Sequence, residues 1–121
     1  MVNIEELRIG NWVKYLEDNT QINSISIGEK CGYVSTFKSG VVTQNQIDPI
    51  PITEECLLKC GFSCLDDIYE HGDVEITNID GKFLLTYNCY EYVIAKKPIE
   101  NLHQLQNLYF SLTGKELEVK L

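Results

Sequence analysis

Cys56, Cys60 and Cys64, spaced by three residues each, with His71 downstream, are the closest approach in this chain to a metal-binding pattern. On a helix, Cys56 and Cys60 stand at i and i+4 and share a face. Structural zinc usually asks for a Cys-x2-Cys knuckle and a second ligand pair of similar spacing. The chain offers neither, and Gly61 interrupts the helix before Cys64. The pattern therefore predicts small buried apolar residues, with no metal and no cofactor. His71 and His103 are the only histidines. No Gly-rich elbow or other local signature marks a cysteine as the partner of either in nucleophilic catalysis. No serine elbow, phosphate loop or dinucleotide fingerprint is present. Asp66, Asp67, Glu70 and Asp73 gather around Gly72 but lack the alternating ligands and closing Glu of a calcium loop. They read as a solvated, irregular loop. With no nucleophile and base predicted to meet, no catalytic residue is assigned and the chain is expected not to be an enzyme.

Residues suited to binding are easier to find, and they lie on the best-specified element. Pro98, the N-cap Asn101, Gln104 three residues later and Gly114 bracket a helix from Leu102 to Thr113. Leu102, Leu105, Leu108, Tyr109 and Leu112 form its apolar stripe. His103, Gln106, Asn107 and Phe110 share the opposite face. A solvated face would carry Lys and Glu. This one is uncharged, which suits a second packing surface: a loop of the same chain, a subunit or a ligand. Tyr and Trp are enriched at contact surfaces. Trp12 joins the candidates, and so does Tyr92, which crowds one hairpin with Tyr87 and Tyr90.

Stepping outward, 121 residues make one domain with a modest core. The formal charge is −8, with nine lysines and the single arginine Arg8. Nucleic-acid binders concentrate basic residues on one face. These are scattered, apart from Lys96-Lys97, so DNA and RNA are not expected partners. No apolar run is long enough to span a membrane, and the acidic Met-Val-Asn-Ile-Glu-Glu start is unlike a signal peptide. A cytoplasmic protein with reduced thiols is expected.

Residues 1–47 predict an N-terminal β-meander: strands over Asn11–Glu17, Thr20–Ile27, Tyr33–Phe37 and Val41–Thr43, with an irregular step in the second. The pattern is like a small SH3-type barrel, an analogy of fold alone. Residues 48–121 carry the rest of one α+β domain. Ile47–Ile52 is extended by its prolines. Thr53 caps a short helix that Gly61 ends in a Schellman arrangement with Phe62. Val74–Ile79, Lys82–Tyr87 and Tyr90–Ala95 predict a three-stranded meander turning at Asp80-Gly81 and Asn88-Cys89. The long amphipathic helix follows, and Leu117–Leu121 suggests an edge strand.

Three segments in this order, Glu6-Leu-Arg-Ile-Gly-Asn-Trp-Val13, Pro49-Ile-Pro-Ile-Thr-Glu-Glu-Cys-Leu-Leu-Lys-Cys-Gly-Phe62 and Leu102-His-Gln-Leu-Gln-Asn-Leu-Tyr-Phe-Ser-Leu-Thr-Gly-Lys-Glu-Leu117, resemble a family of small uncharacterised proteins of phages and mobile elements from gut anaerobes. The family brings no activity and no functional residue. It implies an accessory binding protein in a bacterial host, acting as a homo-oligomer or on a host protein. The alternative it suggests is an anti-defence sponge that sequesters a nucleotide signal, where amides and aromatics would hold a base.

Overall fold

A computed structural model describes residues 2–87, the backbone of 92 and 93, and residues 98–121. The chain is α+β, and β-strands dominate it. Its contacts gather into two compact units: Met1–Pro51 with Asn101–Asn107, and Ile52–Glu100 with Leu108–Leu121.

The first unit holds a four-stranded antiparallel meander in sequence order: β1 (Trp12–Tyr15), β2 (Asp18–Ile27), β3 (Gly32–Thr36) and β4 (Ser39–Thr43). Leu16 and Glu17 make the first turn with positive φ, two positions earlier than Asp18-Asn19, the pair left between the two predicted strands. The irregular step in β2 is a shift of register between Ile22 and Ser24. After β4 the chain makes a 3-10 turn (Gln44–Gln46) closed by a capping box from Thr43. It then returns to β1, where Lys14 and Asp48 exchange main-chain hydrogen bonds of 2.8 and 3.0 Å. Val13, Ile22, Val34 and Ile47 are fully buried at the centre, with Val2 and Ile4 from the N-terminal segment. Ile4 lies directly over Gly32. A Cβ at that glycine would sit 2.1 Å from Ile4 Cδ1.

The second unit begins with α1 (Glu54–Lys59). Thr53 accepts a hydrogen bond from Cys56 N at 3.1 Å, and Glu54 and Glu55 occupy the positive end. At the other end Phe62 N donates to Leu57 O and Gly61 N to Leu58 O, both at 3.1 Å, with Gly61 at φ +88°. This is the Schellman motif the sequence predicts. Five antiparallel strands follow: β5 (Ser63–Leu65), β6 (Ile68–His71), β7 (Val74–Ile79), β8 (Lys82–Tyr87) and β9 (Tyr92–Val93). The sheet is larger than the three expected strands because residues 63–71 form a hairpin. Its turn is Asp66-Asp67, both at positive φ. Aspartate tolerates that conformation, but without glycine it gives a faint signal. Tyr69 supplies the buried anchor that holds β6 in place. Asn88 and Cys89 lie outside the described residues.

Helix α2 (Leu102–Thr113) has the predicted bounds. Asn101 N donates to Gln104 Oε1 at 3.1 Å, one arm of the capping box, and Gly114 takes φ +72°. Beyond it no strand forms at Leu117–Leu121. Leu117 buries its side chain, and the main chain makes one bond to the second unit's α1 end, Lys120 N to Lys59 O at 3.0 Å. One bond is too few to build a ladder.

Candidate functional site

The polar face of α2 is covered by the segment Glu6–Trp12 of its own chain. Gln106 Oε1 accepts from the Trp12 main-chain N at 2.8 Å, and its Nε2 donates to Gly10 O at 3.2 Å. Asn107 Nδ2 donates to Glu6 O at 2.7 Å. Its Oδ1 accepts from Asn11 Nδ2 at 2.9 Å and from Arg8 Nε at 3.1 Å. Arg8 Nη2 also lies 3.5 Å from Gln106 O. His103 is 1% exposed and puts Nε2 3.3 Å from Glu6 Oε2, while its buried Nδ1 has no hydrogen-bond partner. The segment makes one main-chain bond of its own, Asn11 N to Arg8 O at 3.0 Å, and two with Ile22, which leaves the Trp12 N–H and the Glu6 carbonyl to side chains. The amides of α2 do that work, as buried polar groups ordinarily must.

The structure thus brings His103, Gln106 and Asn107 together with the backbone of Trp12, as a clasp within the first unit. Phe110 belongs to the second unit and is 40% exposed. The side chain of Tyr92 lies outside the described residues. The uncharged helix face is explained by its covering, and no opening for a ligand is needed to account for it.

The open surface of the first unit lies on its sheet. Cross-strand partners share a face, so Ser26 with Tyr33, Ser24 with Ser35, and Ser35 with Val41 point away from the core. Ser24, Ser35 and Asn23 hydrogen-bond to one another there. Between Asn19 and Ile47 the only charged residues are Glu29, Lys30 and Lys38, all in turns. Strand β4 is the sheet edge, with no strand on its far side among the described residues. Its sequence, Ser-Gly-Val-Val-Thr, carries no charge and no proline, and Val41 is 73% exposed. Exposed edges are normally protected by Lys, Pro or a covering element.

The second unit ties its groups with reactive chemistry into small, separate contacts. Cys56 and Cys60 are buried and hydrogen-bonded to each other. The Cys60 thiol donates, which pulls Cys56 below its ordinary value. That donation, with burial, pushes Cys60 far above its own. Cys64 is exposed. Burial, then hydrogen bonds to Glu54 and Cys64, push the Tyr69 hydroxyl up. Among the described residues no three His, Cys, Asp or Glu side chains converge where a metal ion could sit. His71 lies instead against Tyr109, with Nδ1 3.3 Å from the phenol oxygen. Sequence reasoning missed both this pair and the β4 edge. The first depends on residues 38 positions apart. The second had a readable signal in the long run without charge.

No protein-family model, curated protein or solved structure matches the chain. Among the described residues no helix is long and apolar enough to cross a membrane.

Proposed function

We propose that the chain is a non-enzymatic binding protein of the phage or mobile-element type, working in the cytoplasm of a bacterial host by self-association. A second copy pairs along β4, strand against strand about a two-fold axis. The observation that carries this reading is the uncharged, unprotected edge of β4 in a chain of net charge −8. Two copies repel each other at long range, so a stable contact must form where charge is absent. Antiparallel pairing of β4 with itself sets Val41 near its own copy and continues the sheet across both subunits. The reading treats the first unit as an SH3-type meander, supported by the return of the chain to β1 through a 3-10 turn.

Sedimentation equilibrium tests it. The wild type sediments as a dimer, and Val41→Lys weakens dimerisation by roughly tenfold or more, since like charges directly opposed across paired strands are unfavourable. A wild type that stays monomeric at all concentrations, or a lysine variant that dimerises equally well, overturns the proposal. The nucleotide-sponge alternative has less to stand on, because Gln106 and Asn107 already use their amide groups inside the first unit.

A further inference from the structure

A cleft of about 260 Å³ opens in the second unit, independent of the β4 edge. It is lined by His71 and Asp73 near the β6–β7 turn, Tyr87 at the end of β8, Tyr109 and Thr113 on α2, and Lys115 just beyond it.

The floor of the cleft is fixed in place. The His71 ring stands edge-on to Phe62, with centroids 5.3 Å apart, and to Tyr109, 5.2 Å apart. Its Nδ1 is tied to the Tyr109 hydroxyl. Gly61 leaves room for the imidazole, since a Cβ there would lie 3.3 Å from His71 Cδ2 and Nε2. Thr113 Oγ1 donates to Tyr109 O at 2.7 Å and accepts from Lys115 N at 3.1 Å. That second bond fixes the backbone from which Lys115 projects.

The rim differs from the floor. Asp73 and Lys115 are both exposed, and neither makes an ion pair or a side-chain hydrogen bond among the described residues. One small cleft therefore carries a carboxylate and an ammonium that no side chain among the described residues neutralises. A simple anion would meet Asp73, and a simple cation would meet Lys115. A molecule that carries both charges satisfies both. Tyr87 and Tyr109 offer ring surface for an apolar group or for a cation–π contact with the amine. The volume lies below the roughly 300 Å³ at which clefts begin to enclose drug-sized ligands, so the ligand is small.

We propose that this cleft binds a free α-amino acid, its ammonium against Asp73, its carboxylate against Lys115 and its side chain against the two tyrosines. The test is ligand-observed NMR on the full chain with each protein amino acid. Every binder is compared with its N-acetyl derivative, which keeps only the negative charge, and its methyl ester, which keeps only the positive one. At least one amino acid is expected to bind saturably and each of its derivatives at least tenfold more weakly. Asp73→Asn should abolish the preference over the N-acetyl form, and Lys115→Gln the preference over the ester. Both substitutions are at exposed, unpaired side chains, so the fold is retained and a thermal melt confirms it. If no amino acid binds, if the derivatives bind as well as their parent, or if neither variant alters the preference, the assignment is wrong. Val41→Lys, which tests self-association, leaves amino-acid binding unchanged.

Discussion

The two units of this chain treat polarity in opposite ways. The first contains six acidic and four basic residues, a net charge of −2. The second contains twelve and six, a net charge of −6. The first turns its most versatile polar groups inward, with Arg8, Asn11, Gln106 and Asn107 bonded to one another and to main chain. It leaves a hydroxyl-rich sheet face outside, with no charge between Asn19 and Gly28 or along β3 and β4. The second buries the thiols of Cys56 and Cys60 and the Tyr69 phenol and leaves opposite charges open on the rim of a cleft. Surface composition suits a protein-sized partner in one unit and a small charged one in the other. Residues that look chemical in the sequence divide the same way: those in the first unit hold the chain together, and those around the cleft have groups left over.

The most damaging way to break this contrast is to remove the clasp. Gln106→Leu leaves the Trp12 N–H without its side-chain partner, while the Gly10 carbonyl keeps only the bond from Gln21 Nε2 at 3.1 Å. A buried group left unpaired costs about 1–3 kcal/mol, so urea denaturation should show a loss in that range. A loss under 1 kcal/mol would mean that water replaces the amide and the face is open after all.

Comparable in size is the packing beneath the hydroxyl-rich sheet face. Gly32→Ala drives a methyl into Ile4 and should cost about 1–3 kcal/mol, the usual range for overpacking. Ile4→Ala in the same background should recover part of that loss if the clash is its cause, and thermal melts of the four proteins decide it.

The buried thiols of the second unit predict an alkaline weakness. Above about pH 8.5 an unfolded chain loses the protons of both Cys56 and Cys60. The folded pair releases only one, because Cys60 is held far above its ordinary value. The unfolded state then binds fewer protons, so stability falls as pH rises, by up to about 1.4 kcal/mol per pH unit. Cys60→Ala should flatten the decline between pH 8.5 and 10 in a melting series. An unchanged slope would place its origin elsewhere.

Smallest in stability is Val41→Lys, within about 0.5 kcal/mol as expected for an exposed site. It sharpens the comparison because it alters association alone.

The elements were legible where local chemistry is strong. The cap at Thr53, the Schellman turn at Gly61, the Asp80-Gly81 hairpin and both ends of α2 each depend on residues a few positions apart. The β5–β6 hairpin was not, since Asp66-Asp67 adopts a conformation that glycine usually announces. The tail at Leu117 has a strand-like composition but, among the described residues, no strand to pair with. The sequence offered His103, Gln106, Asn107 and Phe110 as a face for binding, with a loop of the same chain among its named occupants; that loop covers the first three, and Phe110 is exposed. Which occupant it had was hidden, because Gln106 and its partner Trp12 stand 94 positions apart.

That separation has a consequence for synthesis. Everything in the second unit up to Glu100 leaves the ribosome before Leu102–Asn107 appear, so the first unit, begun earliest, stays incomplete until most of the second has been made. Until then Glu6–Trp12 has no amides to receive it, and the nascent meander must wait with that segment unfastened. Contacts so distant also slow folding. A stalled chain ending at Glu100 should therefore expose the first unit to protease. Restoring α2 should close it.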